Sequence, residues 1–450
     1  MKKLPLQYVK RMKDILGDEY QAYEIAIEDT PVKAFRVNTD KISIDDFEKL
    51  NIFGDQKIPY VENGYYLDYI KIGSHPYHHA GLIYVQEPAA MAPAECIDIA
   101  PDWRILDMCA APGGKSTQLK NKLGDKGVLV SNEIIPSRCK ILMGNIERLG
   151  LHNTITTCMD TAKLAKLFLQ KFDMIMVDAP CSGEGMFRKD ENAIAEWSME
   201  NIEKCAKRQG EILENAVKAL KSGGYIIYST CTFSVEENEM TVDRFLHSHP
   251  EFEIVPVKDE VIKNTVDGIR FDGCRCENIH FARRFYPHKS KGEGQFMAVL
   301  HNKNEESYIS EKPRCSSKVM DKSVFVFLDD VLIDYKKENV RMYNGNPVYI
   351  IPDFEIPNGA AFSCGITIGE IRKNYIQPHH QFFMGLGKNF KRKIELSAES
   401  EEIKRFLHGE EICVDCDNGW AVVMVDGCAL GGVKVVSGIA KNHYPKGLRN

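Results

Sequence analysis

Hydrophobic and polar positions alternate along the chain in a pattern that predicts a layered α/β protein. Between residues 76 and 302, short runs rich in β-branched residues alternate with segments whose apolar residues recur at helical spacing. This alternation is typical of a parallel sheet covered by helices on both faces. The predicted strands are residues 103–108, 127–133, 154–160, 172–178, 225–230 and 295–302.

Helix boundaries can be predicted in the same region. A long helix is expected over residues 198–221, because its apolar residues share one face and the Lys-Ser-Gly-Gly sequence at 221–224 stops it. Ser234 and Glu237 have the spacing of a capping box at the start of another helix. The first residues of the chain have an amphipathic helical pattern, followed by a short β-like segment at residues 34–39.

The chain is too long for one ordinary domain, since its 450 residues exceed the roughly 250 to 300 at which single cores stop growing. Residues 303–325 are polar and predict a linker, and short strands are expected afterwards at 323–328, 346–351 and 419–425. The predicted division is a small N-terminal α+β domain (1–75), an enzyme-like domain (76–302), a linker with an intermediate domain (303–380) and a C-terminal domain (381–450).

Composition restricts the class of protein. Hydrophobic residues make up 44% and charged residues 27% of the chain, and every apolar run is shorter than the roughly 18 to 20 residues that cross a bilayer. The N-terminus lacks the pattern of a secretion signal, so a cytoplasmic protein is expected. The 14 cysteines should then be reduced thiols. Because the net charge is −6, any contact with nucleic acid must use local basic patches.

Acidic residues close four of the predicted strands: Asp107, Glu133, Asp160 and Asp178. In doubly wound sheets, ligands bind outside these carboxyl ends. Asp107 leads into a turn whose small residues let a ligand approach the backbone at a helix N-terminus. This turn consists of Cys109, Ala110, Ala111, Pro112, Gly113, Gly114 and Lys115. Glu133 is placed to accept hydrogen bonds from two ribose hydroxyls, so the pattern predicts a nucleoside pocket.

Three nucleoside ligands compete for this pocket. The turn lacks the G-x-G-x-x-G sequence of nicotinamide dinucleotide sites, and Cys109 stands where an ATP or GTP loop requires glycine. S-adenosylmethionine carries an ammonium group and no phosphate, so it suits a pocket lined by carboxylates. We therefore expect S-adenosylmethionine.

Two cysteines follow neighbouring strands beside the predicted pocket. Cys181 comes three residues after Asp178, and Cys231 follows the strand at 225–230. The C5 carbon of a pyrimidine is a poor nucleophile, but a thiolate that adds to C6 converts the ring to an enamine that attacks through C5. An acid near cytosine N3 would assist by drawing charge from the ring, and Asp178 is a candidate. The pattern indicates cytosine chemistry.

Several segments carry a family resemblance. They are residues 85–91 (VQEPAAM), 106–117 (LDMCAAPGGKST), 177–189 (VDAPCSGEGMFRK), 228–239 (YSTCTFSVEENE), 285–296 and 441–449, together with the acids Glu133 and Asp160. They resemble the RNA cytosine-C5 methyltransferases, specifically the RsmF (YebU)-type enzymes of bacterial small-subunit ribosomal RNA. The resemblance implies a Rossmann-like S-adenosylmethionine-dependent methyltransferase sheet with a C-terminal PUA-like RNA-binding region.

The resemblance also implies roles for single residues. Cys231 is the expected nucleophile and Cys181 the residue that releases the methylated base. Cofactor contacts are expected from the Cys109 to Lys115 turn and from Glu133, Asp160 and Asp178, and we add Arg138 to this set. Lys115 and Asp178 are also expected to take part in catalysis. No metal site is expected.

The expected partner is RNA, in the form of small-subunit ribosomal RNA or the assembling 30S subunit, bound by a monomer. Basic residues without neighbouring acids fall between 371 and 394 and between 431 and 450. Aromatic residues in and around these tracts, expected to stack on unpaired bases, are Tyr375, Phe382, Phe383, Phe390 and Tyr444. The alternatives are transfer RNA as substrate, an amine-directed methyltransferase, and a non-catalytic ribosome-assembly protein.

Overall fold

The computed structural model describes residues 4–68, 72–305, 321–349, 354–357, 359–373 and 375–449. Its N-terminal unit packs helices against a small antiparallel sheet of order β2-β1-β3. The helices are α1 (Leu6–Leu16), α2 (Tyr20–Ala26), α3 (Ile44–Lys49) and α4 (Pro76–His79), and the strands are β1 (Ala34–Val37), β2 (Gly64–Tyr66) and β3 (Ile83–Val85). The third strand of this sheet thus comes from beyond residue 75.

The central unit is a large sheet with helices on both faces. Its helices are α5 (Pro88–Met91), α6 (Gly114–Lys122), α7 (Pro136–Leu149), α8 (Thr161–Leu167), α9 (Glu191–Glu196), α10 (Met199–Ala219), α11 (Glu239–Ser248) and α12 (Asp259–Ile262). Its strands are β4 (Arg104–Asp107), β5 (Val128–Asn132), β6 (Thr154–Thr157), β7 (Phe172–Asp178), β8 (Leu220–Thr230), β9 (Phe252–Val255), β10 (Val266–Asp267), β11 (Arg283–Phe285) and β12 (Gln295–Asn302).

The strand order places a crevice at the centre of this sheet. The order is β10-β11-β12-β8-β7-β4-β5-β6, and the pairs from β8 to β6 are parallel. From β4 the chain winds outward to β5 and β6, and β7 then returns to the other side of β4. This reversal of winding opens a crevice at the carboxyl ends of β4 and β7. All residues of β5 are buried, as expected for a parallel strand covered on both faces.

The C-terminal part contains a five-stranded sheet of order β19-β21-β22-β23-β20. Its helices are α13 (Lys322–Val331), α14 (His380–Leu386) and α15 (Glu401–His408). Its strands are β13 (Val340–Tyr343), β14 (Asn346–Tyr349), β15 (Ala361–Cys364), β16 (Ile366–Thr367), β17 (Gly369–Arg372), β18 (Tyr375–Pro378), β19 (Lys393–Glu395), β20 (Ile412–Cys413), β21 (Gly419–Val425), β22 (Cys428–Val436) and β23 (Ile439–Asn442). Strand β15 leaves this part and pairs with β6 at the edge of the central sheet.

Three predicted elements differ from the structure. The SVFVFL segment forms helix α13 and not a strand, because Asp321 caps the helix and Val324, Leu328 and Val331 lie on its buried face. The glycines at 223 and 224 do not form a loop after α10, since β8 begins already at Leu220. The Ser234 side chain accepts from the Glu237 backbone N–H at 3.4 Å, but α11 begins only at Glu239. Among the described residues, we find no helix with the length and apolar character to cross a membrane.

Candidate active site

Asp107 ends β4 below the crevice. It is 1% exposed, and the Ser116 hydroxyl donates to its Oδ2 at 2.6 Å. Burial raises the pKa of Asp107 to about 7. Asp107 therefore supports the first turn of α6.

The turn after β4 is fixed to the neighbouring strand and helix. The Ala110 backbone N–H donates to the Asn132 carbonyl at 2.8 Å, and the Asn145 side chain donates to the Pro112 carbonyl at 2.9 Å. Gly113 has φ 115°, a left-handed conformation that favours glycine, and it directly precedes α6. The turn thus presents backbone at a helix N-terminus, as predicted.

Glu133 and Arg138 connect this turn to the end of β5. Arg138 Nη1 lies 3.3 Å from Glu133 Oε2, while its Nη2 donates to the Ala111 carbonyl at 2.8 Å. Ile134 and Ile135, which follow Glu133, are 59% and 45% exposed. A carboxylate next to exposed apolar side chains fits the ribose and the base of a nucleoside. The donor set therefore fits S-adenosylmethionine, which the Cys109 to Lys115 turn, Glu133 and Arg138 would hold.

Asp160 is exposed and caps a helix. Its Oδ1 accepts from the Lys163 backbone N–H at 2.9 Å at the start of α8. The structure gives it a capping role, and its predicted contact with the cofactor stays a prediction.

Cys181 and Cys231 are brought together by the pairing of β7 with β8. Asp178 and Ser229 are partners in this parallel pair, so the turns that follow the two strands lie side by side. The two sulfur atoms are 3.3 Å apart. The interaction with Cys231, together with burial, holds the pKa of Cys181 well above its ordinary value. Cys181 therefore keeps its proton at neutral pH.

Lys115 and Asp178 form an ion pair at the same crevice. Lys115 Nζ donates to Asp178 Oδ2 at 2.8 Å, and the Ser229 hydroxyl donates to Oδ1 at 2.7 Å. Burial lowers the pKa of Lys115, but Asp178, with a smaller contribution from Cys231, more than offsets this effect, so the pKa is raised. Lys115 therefore remains an ammonium group, and Asp178 is fixed as a hydrogen-bond acceptor.

Glu237 is a buried carboxylate beside the turn that carries Cys181, and its role was not predicted from the sequence. Glu237 accepts from the Ser182 backbone N–H at 3.0 Å, from the Ser182 hydroxyl, and from Gln209 at 2.9 Å. Gln209 also donates to the Pro180 carbonyl at 3.0 Å. Burial raises the pKa of Glu237 to about 7. This network holds the turn that carries Cys181, and the acid-rich sequence after Cys231 was the signal available for it.

The aromatic residues of the C-terminal part do not form the predicted stacking surface. Phe382, Phe383, Phe390 and Tyr444 are each at most 2% exposed, whereas Tyr375 is 57% exposed. The first three pack in the core, and the Tyr444 hydroxyl bonds His79 at 2.8 Å. The prediction that these four rings stack on unpaired bases was wrong, because their hydrophobic surface is used inside the fold.

Comparison with known protein families divides the chain into three matched regions. Residues 94–301 match the model of the 16S rRNA methyltransferase RsmB/F, and residues 4–88 match the N-terminal domain of the 16S rRNA methyltransferase RsmF. Residues 391–450 match the methyltransferase RsmF PUA domain.

Curated relatives cover nearly the whole chain. Ribosomal RNA small subunit methyltransferase F of Vibrio vulnificus (strain YJ016) is 29% identical over an alignment of 476 positions, which covers 99% of this chain and 97% of the relative. The protein of the same name from Vibrio parahaemolyticus is 30% identical over an alignment of 455 positions, which covers 92% of this chain and 91% of the relative.

A solved structure is similar as well. A methyltransferase homologue from Pyrococcus horikoshii superposes with a TM-score of 0.58 at 30% identity, over 66% of this chain and 94% of that one. The chain is thus an S-adenosylmethionine-dependent methyltransferase, and it belongs to the RsmF family of 16S rRNA methyltransferases.

Proposed function

We propose that this protein methylates C5 of a cytidine in small-subunit (16S) ribosomal RNA through a covalent adduct between Cys231 and C6. One observation carries the proposal: two sulfur atoms lie 3.3 Å apart at the ends of adjacent parallel strands, next to the carboxylate of Asp178. Amine-directed methyltransferases have no use for such a pair of thiols. An RNA cytosine-C5 methyltransferase with two such cysteines can use one thiol to attack and the other to release.

In the proposed reaction, Cys231 attacks C6 as the thiolate. The new S–C6 bond pushes an electron pair into the ring, and C5 becomes nucleophilic. S-adenosylmethionine, held by the Cys109 to Lys115 turn, Glu133 and Arg138, supplies the methyl group. The target nucleotide must be turned out of its stack so that the thiolate can approach from above the ring plane.

Asp178 and Lys115 orient the ring in this proposal. The carboxylate of Asp178 is fixed by Lys115 and Ser229, so it can accept a hydrogen bond from the pyrimidine edge that carries N3 and the amino group. The Lys115 ammonium offsets the negative charge that would otherwise accumulate between Asp178 and the attacking thiolate.

Cys181 completes the cycle. After the methyl group has been added, the C5 proton must be removed, and the resulting electron pair then expels the Cys231 sulfur from C6. The raised pKa of Cys181 makes its thiolate a strong base, and the short distance to Cys231 supports its action on the same face of the ring. The net products are 5-methylcytidine, S-adenosylhomocysteine and one proton.

The RNA-binding parts are assigned in the same proposal. Residues 1–75 and the PUA-like region 381–450 flank the enzyme domain 76–302 and bind the RNA, while residues 303–380 form a linker and an intermediate domain. The protein acts as a monomer in the cytoplasm.

Bisulfite sequencing of ribosomal and transfer RNA, from cells with and without this protein, tests the proposal. A 16S cytidine that loses its methylation without the protein is the expected result. A lost site in transfer RNA would replace the substrate, and unchanged methylation of both RNAs would indicate a non-catalytic role.

A further inference from the structure

A basic cleft lies between the N-terminal sheet and the central unit, outside the site described above. It has a volume of about 380 Å³, enough for a ligand the size of a nucleotide. The N-terminal wall carries Lys57 and the rings of Tyr60 and Tyr66, and the opposite wall carries Lys263, Lys289 and Lys291. Among the described residues that line the cleft there is no carboxylate.

The four lysines of the cleft differ in whether a carboxylate compensates their charge. Lys57 pairs with Glu48 at 2.8 Å, and Lys289 pairs with Glu19 at 2.7 Å. For Lys263 and Lys291, the described part of the chain shows no carboxylate within ion-pair distance. Lys291 Nζ instead donates to the Gln56 side chain at 3.1 Å and lies 5.1 Å from the centre of the Tyr66 ring.

The loop that carries Lys289 and Lys291 leads to a glycine that packs next to the turn of Cys231. Three residues beyond Lys291, Gly294 packs so closely on Phe233 and Gly185 that a Cβ there would overlap both. The Gly185 backbone N–H in turn donates to the Cys231 carbonyl at 2.8 Å. Since three residues span at most about 11 Å, the cleft opens within a few nucleotides of the reacting base.

The loop is also held rigidly between the cleft and the cysteines. Glu293 accepts from the buried side chain of Arg188 at 2.8 Å, and the Glu293 backbone N–H donates to Glu87 at 2.8 Å. Arg188 further donates to the Gly292 carbonyl at 3.1 Å. A strand of RNA bound in the cleft would therefore have a fixed position relative to Cys231.

We infer that this cleft binds the phosphodiester backbone of the RNA strand that flanks the target cytidine, with Lys263 and Lys291 as the phosphate contacts. This inference rests on the proposed function, because it takes RNA as the substrate. In a chain of net charge −6, a cleft lined by four lysines, two of which pair with carboxylates of neighbouring elements, keeps the positive charge of Lys263 and Lys291 to attract phosphate. The contact is to backbone and positions the strand without reading its sequence.

The test compares the double variant Lys263→Gln/Lys291→Gln with Lys126→Gln/Lys166→Gln. The control lysines are exposed and lie near the amino ends of the parallel strands, opposite the crevice, and removing them changes the net charge equally. Direct binding of unmodified 16S ribosomal RNA and the methylation kinetics are measured at several salt concentrations.

For the cleft variant we expect roughly tenfold weaker RNA binding and a correspondingly raised KM for RNA. The slope of the logarithm of the binding constant against the logarithm of the salt concentration should be shallower by about 1.4, because each of the two lost phosphate contacts to single-stranded RNA contributes about 0.7. The control should match the wild type in all three measurements. Equal RNA binding and salt slopes in both variants would overturn the inference while leaving the proposed function intact.

Two further outcomes separate the remaining explanations. If the cleft variant loses binding of inorganic phosphate but binds RNA like the wild type, the cleft is a small-anion site and the inference fails. If the wild type binds RNA but transfers no methyl group to it, the proposed function fails, and the comparison of binding still decides what the cleft contacts.

Discussion

The sulfur atoms of Cys181 and Cys231 lie 3.3 Å apart, although 50 residues separate them along the chain. Parallel pairing of β7 with β8 creates this proximity, because it aligns the turns that follow the two strands. In the proposed cycle the two thiols act in succession on one face of the same ring. The predictions below test that division of roles.

Cys231→Ala should abolish methyl transfer, with a loss of roughly four orders of magnitude or more, because C5 cannot react until C6 carries the thiolate. Radiolabelled methyl transfer to unmodified 16S ribosomal RNA measures this effect. Cys205→Ala is a suitable control, since Cys205 lies on α10 and should leave transfer unchanged. Retained activity in Cys231→Ala would favour an amine-directed enzyme.

Cys181→Ala should instead trap the RNA on the protein. Attack by Cys231 and transfer of one methyl group remain possible, but the C5 proton is not removed and the adduct does not break down. A band that contains protein and RNA and survives a denaturing gel is the expected result. The double variant that also carries Cys231→Ala should lose the band, and its persistence there would contradict the assignment.

Breakdown of the adduct in the wild type should accelerate with pH. In the adduct Cys231 is bonded to C6, but burial still raises the pKa of Cys181, so at neutral pH only a small fraction is thiolate, and that fraction grows about tenfold for each pH unit below the pKa. The lifetime of the adduct on denaturing gels, measured between pH 6.5 and 8.5, should shorten accordingly. A lifetime independent of pH would show that another base removes the C5 proton.

Lys115→Met should lower kcat by roughly a hundredfold, because it removes the ammonium group that fixes Asp178, the residue that orients the ring in the proposed cycle. Lys122→Met is a matched control: Lys122 belongs to the same helix and pairs with Glu95 at 2.7 Å, away from the cysteines. Both variants lose one ion pair, so a comparison of kcat at equal folded fraction isolates the role in catalysis. Equal kcat values would make Lys115 structural only.

Glu237→Ala should affect release more than attack, since Glu237 holds the turn that carries Cys181. We expect a longer adduct lifetime and a free energy of unfolding lower by about 1 to 3 kcal/mol, because buried donors lose their acceptor. Glu237→Gln keeps one acceptor oxygen and should restore part of the adduct turnover. If Glu237→Ala is destabilised but breaks down the adduct at the wild-type rate, the residue does not position Cys181.

The sequence predicted the crevice because its pattern is repeated at successive strands. Alternating β-branched runs and helices establish a parallel sheet, and acids and cysteines at the carboxyl ends of β4, β5, β7 and β8 must then meet at one edge. The proximity of Cys181 to Cys231 follows from that argument. The direction in which each side chain points does not: Asp107, at the end of β4, accepts from the Ser116 hydroxyl in the first turn of α6.

Other features depended on tertiary contacts that local patterns do not contain. SVFVFL is a continuous run of β-branched and aromatic residues, as in a buried strand, yet it forms a helix because Val324, Leu328 and Val331 also satisfy helical spacing against a buried face. The aromatic rings of Phe382 and Phe390 are of the type that stacks on RNA bases, but both rings are buried in the core of the C-terminal part. The network around Glu237 joins residues from three separate segments, so no local spacing predicts it.

The central claim is that Cys231 forms the bond to C6, and mass spectrometry can test it directly. RNA in which the target cytidine carries fluorine at C5 cannot lose a proton there, so methyl transfer should leave the enzyme covalently attached. After digestion by nuclease and protease, the account predicts that the methylated nucleotide is found on the peptide that contains Cys231. A nucleotide on the Cys181 peptide, or methylated RNA with no attached peptide, would contradict the account.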